Sequence, residues 1–291
     1  MEIAVNNNNN PLVHFIGASR ATNTKMAYAR AWKRFVAAVG NELPADPYVV
    51  ASYLAQLGTT HSPATVRMAN AAISYFHRIK GHETPTGHAG VKAVISGINR
   101  MKGPSVQVEG LDRRAFELIE LTSDLDSINE LREVCLISVM RDGLLRRSEA
   151  TALVWDDLAW EDDGSGRLAV GKSKNDQIGH GSILYISPAT MNYVAMWRPN
   201  VHVRRIFPIS DSTVVRCIKK ACERAGLSGD YSGHSPRIGM AMDLARTTSL
   251  PALMQAGRWK SHVMPVHYIK NITAGQGAVA DWYRRKEGGD G

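Results

Sequence analysis

In the first third of the chain Asp46 and Ser62, both helix-capping side chains, are each followed at once by proline. A capping oxygen satisfies N–H groups that the first helical turn leaves open. Proline at the next position gives up no hydrogen bond and already has helical φ. Each pair therefore predicts a helix start, giving helices over 44–58 and 62–81. A third segment, 19–40, opens on capping-type residues and ends at Gly40. Its Met26, Ala29, Trp32, Phe35, Val36 and Val39 recur at helical spacing. A fourth helix is expected over 87–103. None of the four shows the alternation of a strand, so residues 12–103 should form a helical bundle. The asparagine run at 6–10 is of low complexity, and residues 1–11 are expected to be a disordered tail.

Beyond residue 103 the pattern changes. GPSVQVEG has no periodicity and several turn formers, so 104–111 reads as a linker. Helices are expected at 112–123 and 127–143. GRLAVGKSKN and GSILYIS read as two short strands around a turn. Helices resume at 188–197, 211–226, 235–247, 250–257 and 261–270. The fold class expected is mainly α: an N-terminal helical bundle, then an α-rich domain over 112–291 with a small inserted β-sheet.

A chain of 291 residues has room for two such domains. No apolar run reaches the roughly 18 residues of a membrane span, and the N-terminus lacks a basic segment followed by an apolar one. Cys135, Cys217 and Cys222 are too few and odd in number for a disulfide framework, which suits a reducing cytoplasm. Cys217 and Cys222 are expected to be small fillers on a helix. The net charge is +8, and residues 1–110 hold 11 basic against 5 acidic residues. An excess concentrated there favours a polyanionic partner, nucleic acid before a membrane surface.

Four segments hold candidate chemistry. In YSGHSPRIG, a nucleophile elbow would need glycine where Arg237 stands. Ser235 reads better as a helix N-cap with Pro236 in the first turn. His234 and Arg237 would then face a helix N-terminus, where a phosphate is favoured. In LLRRSEA, Arg146 and Glu149 are i, i+3 at a helix start, and Arg147 is a further charge. By themselves they read as a surface ion pair. In GKSKNDQIGHG, Lys172 and Lys174 lie between the strands, either solvated or reaching into a site. In AGRWKSHVMPVHYIKN, Trp259 precedes Tyr268 by nine positions. His262 and His267 are spaced onto different helix faces, so no metal site is expected.

Taken in order, Arg146, Glu149, Lys174, His234-x-x-Arg237, Trp259 and Tyr268 resemble the motif set of the tyrosine recombinases, the phage-type integrases, and most closely their Cre-like subgroup. Two positions depart from the pattern: Pro236 fills a variable place in H-x-x-R, and Arg258 stands where glycine is expected before the tryptophan. The resemblance implies a C-terminal catalytic domain and, for 12–103, a SAM-like core-binding domain on DNA. It implies Tyr268 as nucleophile on a scissile phosphate, forming a 3′-phosphotyrosyl link. Arg146 and Arg237 would clamp the non-bridging oxygens, with His234 and Trp259 adding hydrogen bonds and Glu149 supporting. Lys174 would protonate the leaving 5′-oxygen. No cofactor and no metal are implied, because the covalent link conserves the energy of the broken bond.

The partners implied are a double-stranded DNA target with inverted half-sites and three further copies of the chain in a tetramer, without a membrane. The location implied is the cytoplasm, at the nucleoid. A helix about 275–287, with Val279, Trp282 and Tyr283 on one side, would dock on a neighbouring copy. Lys25, Arg30, Lys33, Arg34, Arg78 and Lys80 are expected along DNA phosphates, with Arg67 and Asn70 as candidate base readers. Two other readings stand beside this one. One is a type IB topoisomerase or telomere resolvase, which shares the chemistry. The other is a DNA-binding architectural protein without turnover.

Overall fold

The computed structural model describes residues 22–103, 108–171, 181–269 and 282–283, with the side chains of 22, 23 and 267–269 outside that description. The chain divides into two compact units, 1–107 and 108–291.

In the first unit the helices are α1 (Thr22–Val39), α2 (Pro47–Thr60), α3 (Pro63–Ile79) and α4 (Ala89–Lys102). The proline starts form as the sequence implies. Asp46 accepts the Tyr48 and Val49 N–H groups, and the Ser62 hydroxyl accepts that of Thr65. α1 packs on α3 and α2 on α4. Their apolar faces meet in a core of Phe35, Val50, Tyr53, Leu54, Leu57, Val66, Ala69, Ile73 and Val91.

One polar group is sealed into this bundle. His77, fully buried, has its Nδ1 2.8 Å from the Ile73 carbonyl and its Nε2 3.0 Å from the Ala45 N–H. The carbonyl can only accept and the amide only donate. The ring is therefore the neutral Nδ1–H tautomer, tying the 44–46 segment to α3. Burial lowers its pKa below the ordinary histidine value, against the pull of the Ile73 bond.

In the second unit, α5 (Arg113–Thr122), α6 (Ile128–Asp142) and a single turn α7 (Arg147–Ala150) lead to a three-stranded antiparallel sheet. Its strands are β1 (Leu158–Trp160), β2 (Gly166–Val170) and β3 (Ser182–Ile186). β2 and β3 were expected, whereas β1 was not: three residues are too few to show alternation. Leu158 pairs with Leu168, and Leu168 with Leu184. Leu168, Val170 and Ile186 face the core, while Ile183 and Tyr185 are exposed. Then follow α8 (Pro188–Trp197), α9 (Asp211–Arg224), α10 (Ser235–Ala245), α11 (Leu250–Gly257) and α12 (Val263–Ile269). Cys217 and Cys222 sit buried on α9, and burial pushes the Cys222 thiol up to about 12.

α6 is the central element, packed against α8, α9 and α10. The end of the stretch read as linker is part of this packing. Glu109 N–H donates to Asp230 O at 3.0 Å and Leu111 N–H to Ser235 O at 2.9 Å, with Leu111 fully buried. The segment crosses α10 so closely that a Cβ on Gly239 would lie 1.7 Å from the Leu111 carbonyl oxygen.

Two outcomes follow from this packing. Gly239→Ala forces backbone apart from backbone. It should cost about 3 kcal/mol and lower the melting temperature of the chain by on the order of 10 °C, measured by calorimetry. His77 binds fewer protons folded than unfolded, so its contribution to stability is complete above about pH 6.5 and is lost as pH falls through the depressed folded value. Melting temperature should therefore fall between pH 7 and 5. The slope should be shallower in His77→Gln, whose amide keeps an acceptor without titrating.

Candidate active site

The site is organised around a tight turn between α6 and α7. Leu144 adopts φ 42°, in the left-handed region, and its carbonyl becomes a shared acceptor. Arg237, on the third position of α10, is buried. It donates through Nη1 to the Leu144 carbonyl and through Nη2 to Gly257 O at 2.5 Å. Its guanidinium carbon lies 4.6 Å from the Trp259 ring centre, a cation–π contact.

Arg146 caps α7. Its Nη1 donates to Glu149 Oε1 at 2.6 Å, and its backbone N–H to Glu149 Oε2 at 2.9 Å. The side chains are 18% and 7% exposed, so this is an enclosed ion pair and not the surface pair that spacing alone suggested. Arg147 turns the other way. Its Nε lies 3.3 Å from Asp211 on α9, and its stem packs over Gly233. That division of labour makes Arg146 the arginine beside Glu149.

His234 immediately precedes α10 and keeps part of its ring in solvent. Partial burial lowers its pKa, followed by the positive charges of Arg237, Arg147 and Arg146, with Glu149 opposing. The imidazole is thus neutral at neutral pH, able to donate one hydrogen bond or to accept a proton. Ser235 is not the N-cap that the sequence implied. It is the first helical residue, and its hydroxyl accepts the Ser232 N–H at 2.8 Å, closing the preceding turn. Pro236 occupies the opening turn as expected.

Trp259 follows α11 and is half-buried beside the small core of Leu144, Ile238, Ala241 and Leu253. Tyr268 lies on α12, which packs against α10 and α11. Its side chain is outside the described residues. Lys174 also lies outside them, in the connection between β2 and β3, whose ends are joined by the Val170–Ser182 pairing.

One residue of the cluster had been noted only as a departure from the family pattern. Arg258 Nη2 donates to Glu149 Oε2 at 2.8 Å and to the Leu144 carbonyl at 3.1 Å. Its spacing to either partner exceeds one hundred residues, so no local periodicity could have revealed it.

Of the expected DNA-facing residues, Arg30, Lys33, Arg34, Arg67, Arg78 and Lys80 are exposed and Lys25 is half-buried. Arg67 Nη1 donates to Asn99 on α4 at 2.8 Å. The Oδ1 of Asn70 is buried and has no hydrogen-bond partner among the described residues, which removes one of the two groups an amide would present to an adenine edge. Of the expected helix 275–287, Trp282 and Tyr283 are described. Both are helical, half-exposed, and in edge contact at 4.8 Å.

Comparisons with known proteins bear on this cluster. An integrase/recombinase xerD homolog from Selenomonas ruminantium is 28% identical over 284 residues, covering 87% of this chain and 82% of that protein. The Cre recombinase of Escherichia phage P1 is 24% identical over 282 residues, covering 85% and 81%. Among solved structures, the Tn1549 transposon integrase in complex with transposon right end DNA superposes with a TM-score of 0.67 at 14% identity, covering 94% of this chain and 96% of that one. A lambda integrase tetramer bound to a Holliday junction gives a TM-score of 0.64 at 18% identity, covering 89% and 75%. These structural likenesses are likenesses of fold. Residues 114–274, over half of the chain, match the phage integrase family, and the chain belongs to that family.

Proposed function

We propose that the chain is a site-specific DNA recombinase that cuts and rejoins strands through a 3′-phosphotyrosyl intermediate and a Holliday junction, on target sites with inverted repeats. The observation that carries this reading is the meeting of Arg146, His234, Arg237 and Trp259 at one place. They come from three separate stretches of chain, beside the helix that bears Tyr268.

In this reading Tyr268 attacks the scissile phosphate. Its oxygen bonds to phosphorus as the bond to the 5′-oxygen breaks, and Lys174 gives that oxygen its proton. Charge building on the non-bridging oxygens meets the two guanidinium groups of Arg146 and Arg237, already held by Glu149 and by backbone carbonyls. Donors fixed in advance need little reorganisation during the reaction. Neutral His234 can take the tyrosine proton or donate to the phosphoryl group. Reversal of the same steps by a 5′-hydroxyl from a second duplex rejoins the strands. Residues 12–103 serve as the core-binding domain, with Lys25, Arg30, Lys33, Arg34, Arg78 and Lys80 on phosphates and Arg67 toward base edges. Four copies assemble on the DNA, linked through the 275–287 helix, and the protein works in the cytoplasm at the nucleoid.

The experiment incubates wild-type chain and Tyr268→Phe with fragmented DNA of the source organism, denatures in detergent, and isolates DNA that stays attached to protein. Adducts from wild type alone, converging on one inverted-repeat sequence, are the expected result. Equal recovery from both would name a different nucleophile. DNA binding without adducts in either would leave an architectural binding protein. With that DNA in hand, Arg237→Ala should slow adduct formation by about a hundredfold or more, measured in single turnover.

A further inference from the structure

We propose that Arg258 is a positioning residue for strand cleavage. It locks the turn carrying Trp259, which leads into the Tyr268 helix, onto the turn carrying Arg146. The inference rests on the recombinase reading above.

Arg258 ends α11 in the left-handed conformation, with φ 56°. A residue with a Cβ is disfavoured there, and glycine adopts it freely. Its side chain is 11% exposed, and its Nε and Nη1 are buried with no hydrogen-bond partner among the described residues. Backbone conformation, burial of charge and unmet donors all count against arginine at this position. What remains in its favour is the single nitrogen Nη2. That atom faces Glu149 Oε2 at 2.8 Å, Leu144 O at 3.1 Å and Gly143 O at 3.4 Å.

Both ends of this contact belong to the site. Leu144 and Arg258 are the two non-glycine residues with positive φ among the described residues, and the Nη2 bond joins them. The Leu144 carbonyl also accepts from Arg237. Glu149 accepts from Arg146 on one oxygen, and from the Arg146 backbone and Arg258 on the other. Without Arg258, Glu149 Oε2 loses its charged donor, and among the described residues the carboxylate is then held by Arg146 alone, through its side chain and its backbone N–H. The turn holding Trp259 loses its tie to the arginine turn at the same time. Displacement of a phosphate-gripping group by about an ångström slows chemistry by up to about a hundredfold while leaving binding intact.

The test uses the full chain and the DNA recovered with wild type in the adduct experiment. Adduct formation is timed in single turnover at saturating DNA for wild type, Arg258→Gly, Arg258→Lys, Glu149→Gln and the Arg258→Gly/Glu149→Gln double variant. DNA affinity and melting temperature are measured in parallel. Glycine suits the backbone at 258, so this variant is expected to fold. The expected result is a fall in rate of about 10- to 100-fold in Arg258→Gly with DNA affinity unchanged. Arg258→Lys should recover part of the rate. In the Glu149→Gln background part of the loss should disappear, because Nη2 acts through Glu149 as well as through the Leu144 carbonyl. A wild-type rate in Arg258→Gly would overturn the role. So would a loss of affinity without loss of rate, or an undiminished loss in the Glu149→Gln background. Absence of adducts with wild type itself would overturn the recombinase reading, and this role with it.

Discussion

The carboxylate of Glu149 is the anion on which the site depends. It lies enclosed between two arginine side chains and the backbone N–H of Arg146, with both oxygens engaged. In such a setting an ion pair gains little as stabilisation, because taking the charges out of water offsets most of their attraction. What it supplies is direction: each guanidinium is held in one orientation. For a reaction whose catalysis is mainly the placing of positive charge around a phosphoryl group, orientation matters more than net stability. Burial first, and then the positive charges of Arg237, Arg147 and Arg146 around this carboxylate, lower the pKa of His234.

The packing around this carboxylate follows from backbone meeting backbone. The segment at 108–111 runs directly across α10 where Gly239 leaves room, and its Leu111 carbonyl accepts from Arg141 of α6. Arg141 also reaches Asp243 on α10 at 2.9 Å. α10 is thereby pinned to α6, which ends at the turn holding Leu144. Arg237, on α10, reaches the Leu144 carbonyl as a consequence of this docking. The position of Arg237 thus depends on a glycine in the middle of α10.

Much of the architecture could be read from the sequence. Proline after a capping side chain marked the helix start at Asp46-Pro47 and at Ser62-Pro63, so α2 and α3 were legible from two dipeptides. The hairpin of β2 and β3 was legible because five residues suffice to show strand character. β1 was not, since three residues carry no period and the strand exists only by pairing with β2. The Ser235 N-cap failed for a related reason. A serine before proline satisfies a local rule, but its hydroxyl found the Ser232 N–H, a partner made available by the turn before the helix.

The sequence by itself determined the residue types, their order and the period of their apolar neighbours. Those properties come from local backbone preference and from chemistry that spacing along one chain can display. Only their resemblance, taken in order, to the motif set of the tyrosine recombinases pointed to Arg146, His234, Arg237, Trp259 and Tyr268 as a set. Only the tertiary structure decided which arginine of the 146–147 pair faces Glu149, that the pair is enclosed, and that Arg258 completes it. The physical reason is that each of these outcomes depends on burial and on hydrogen bonds between segments far apart in the chain. Neither an i, i+3 spacing nor a departure from an expected glycine reports which carbonyl or carboxylate will lie opposite.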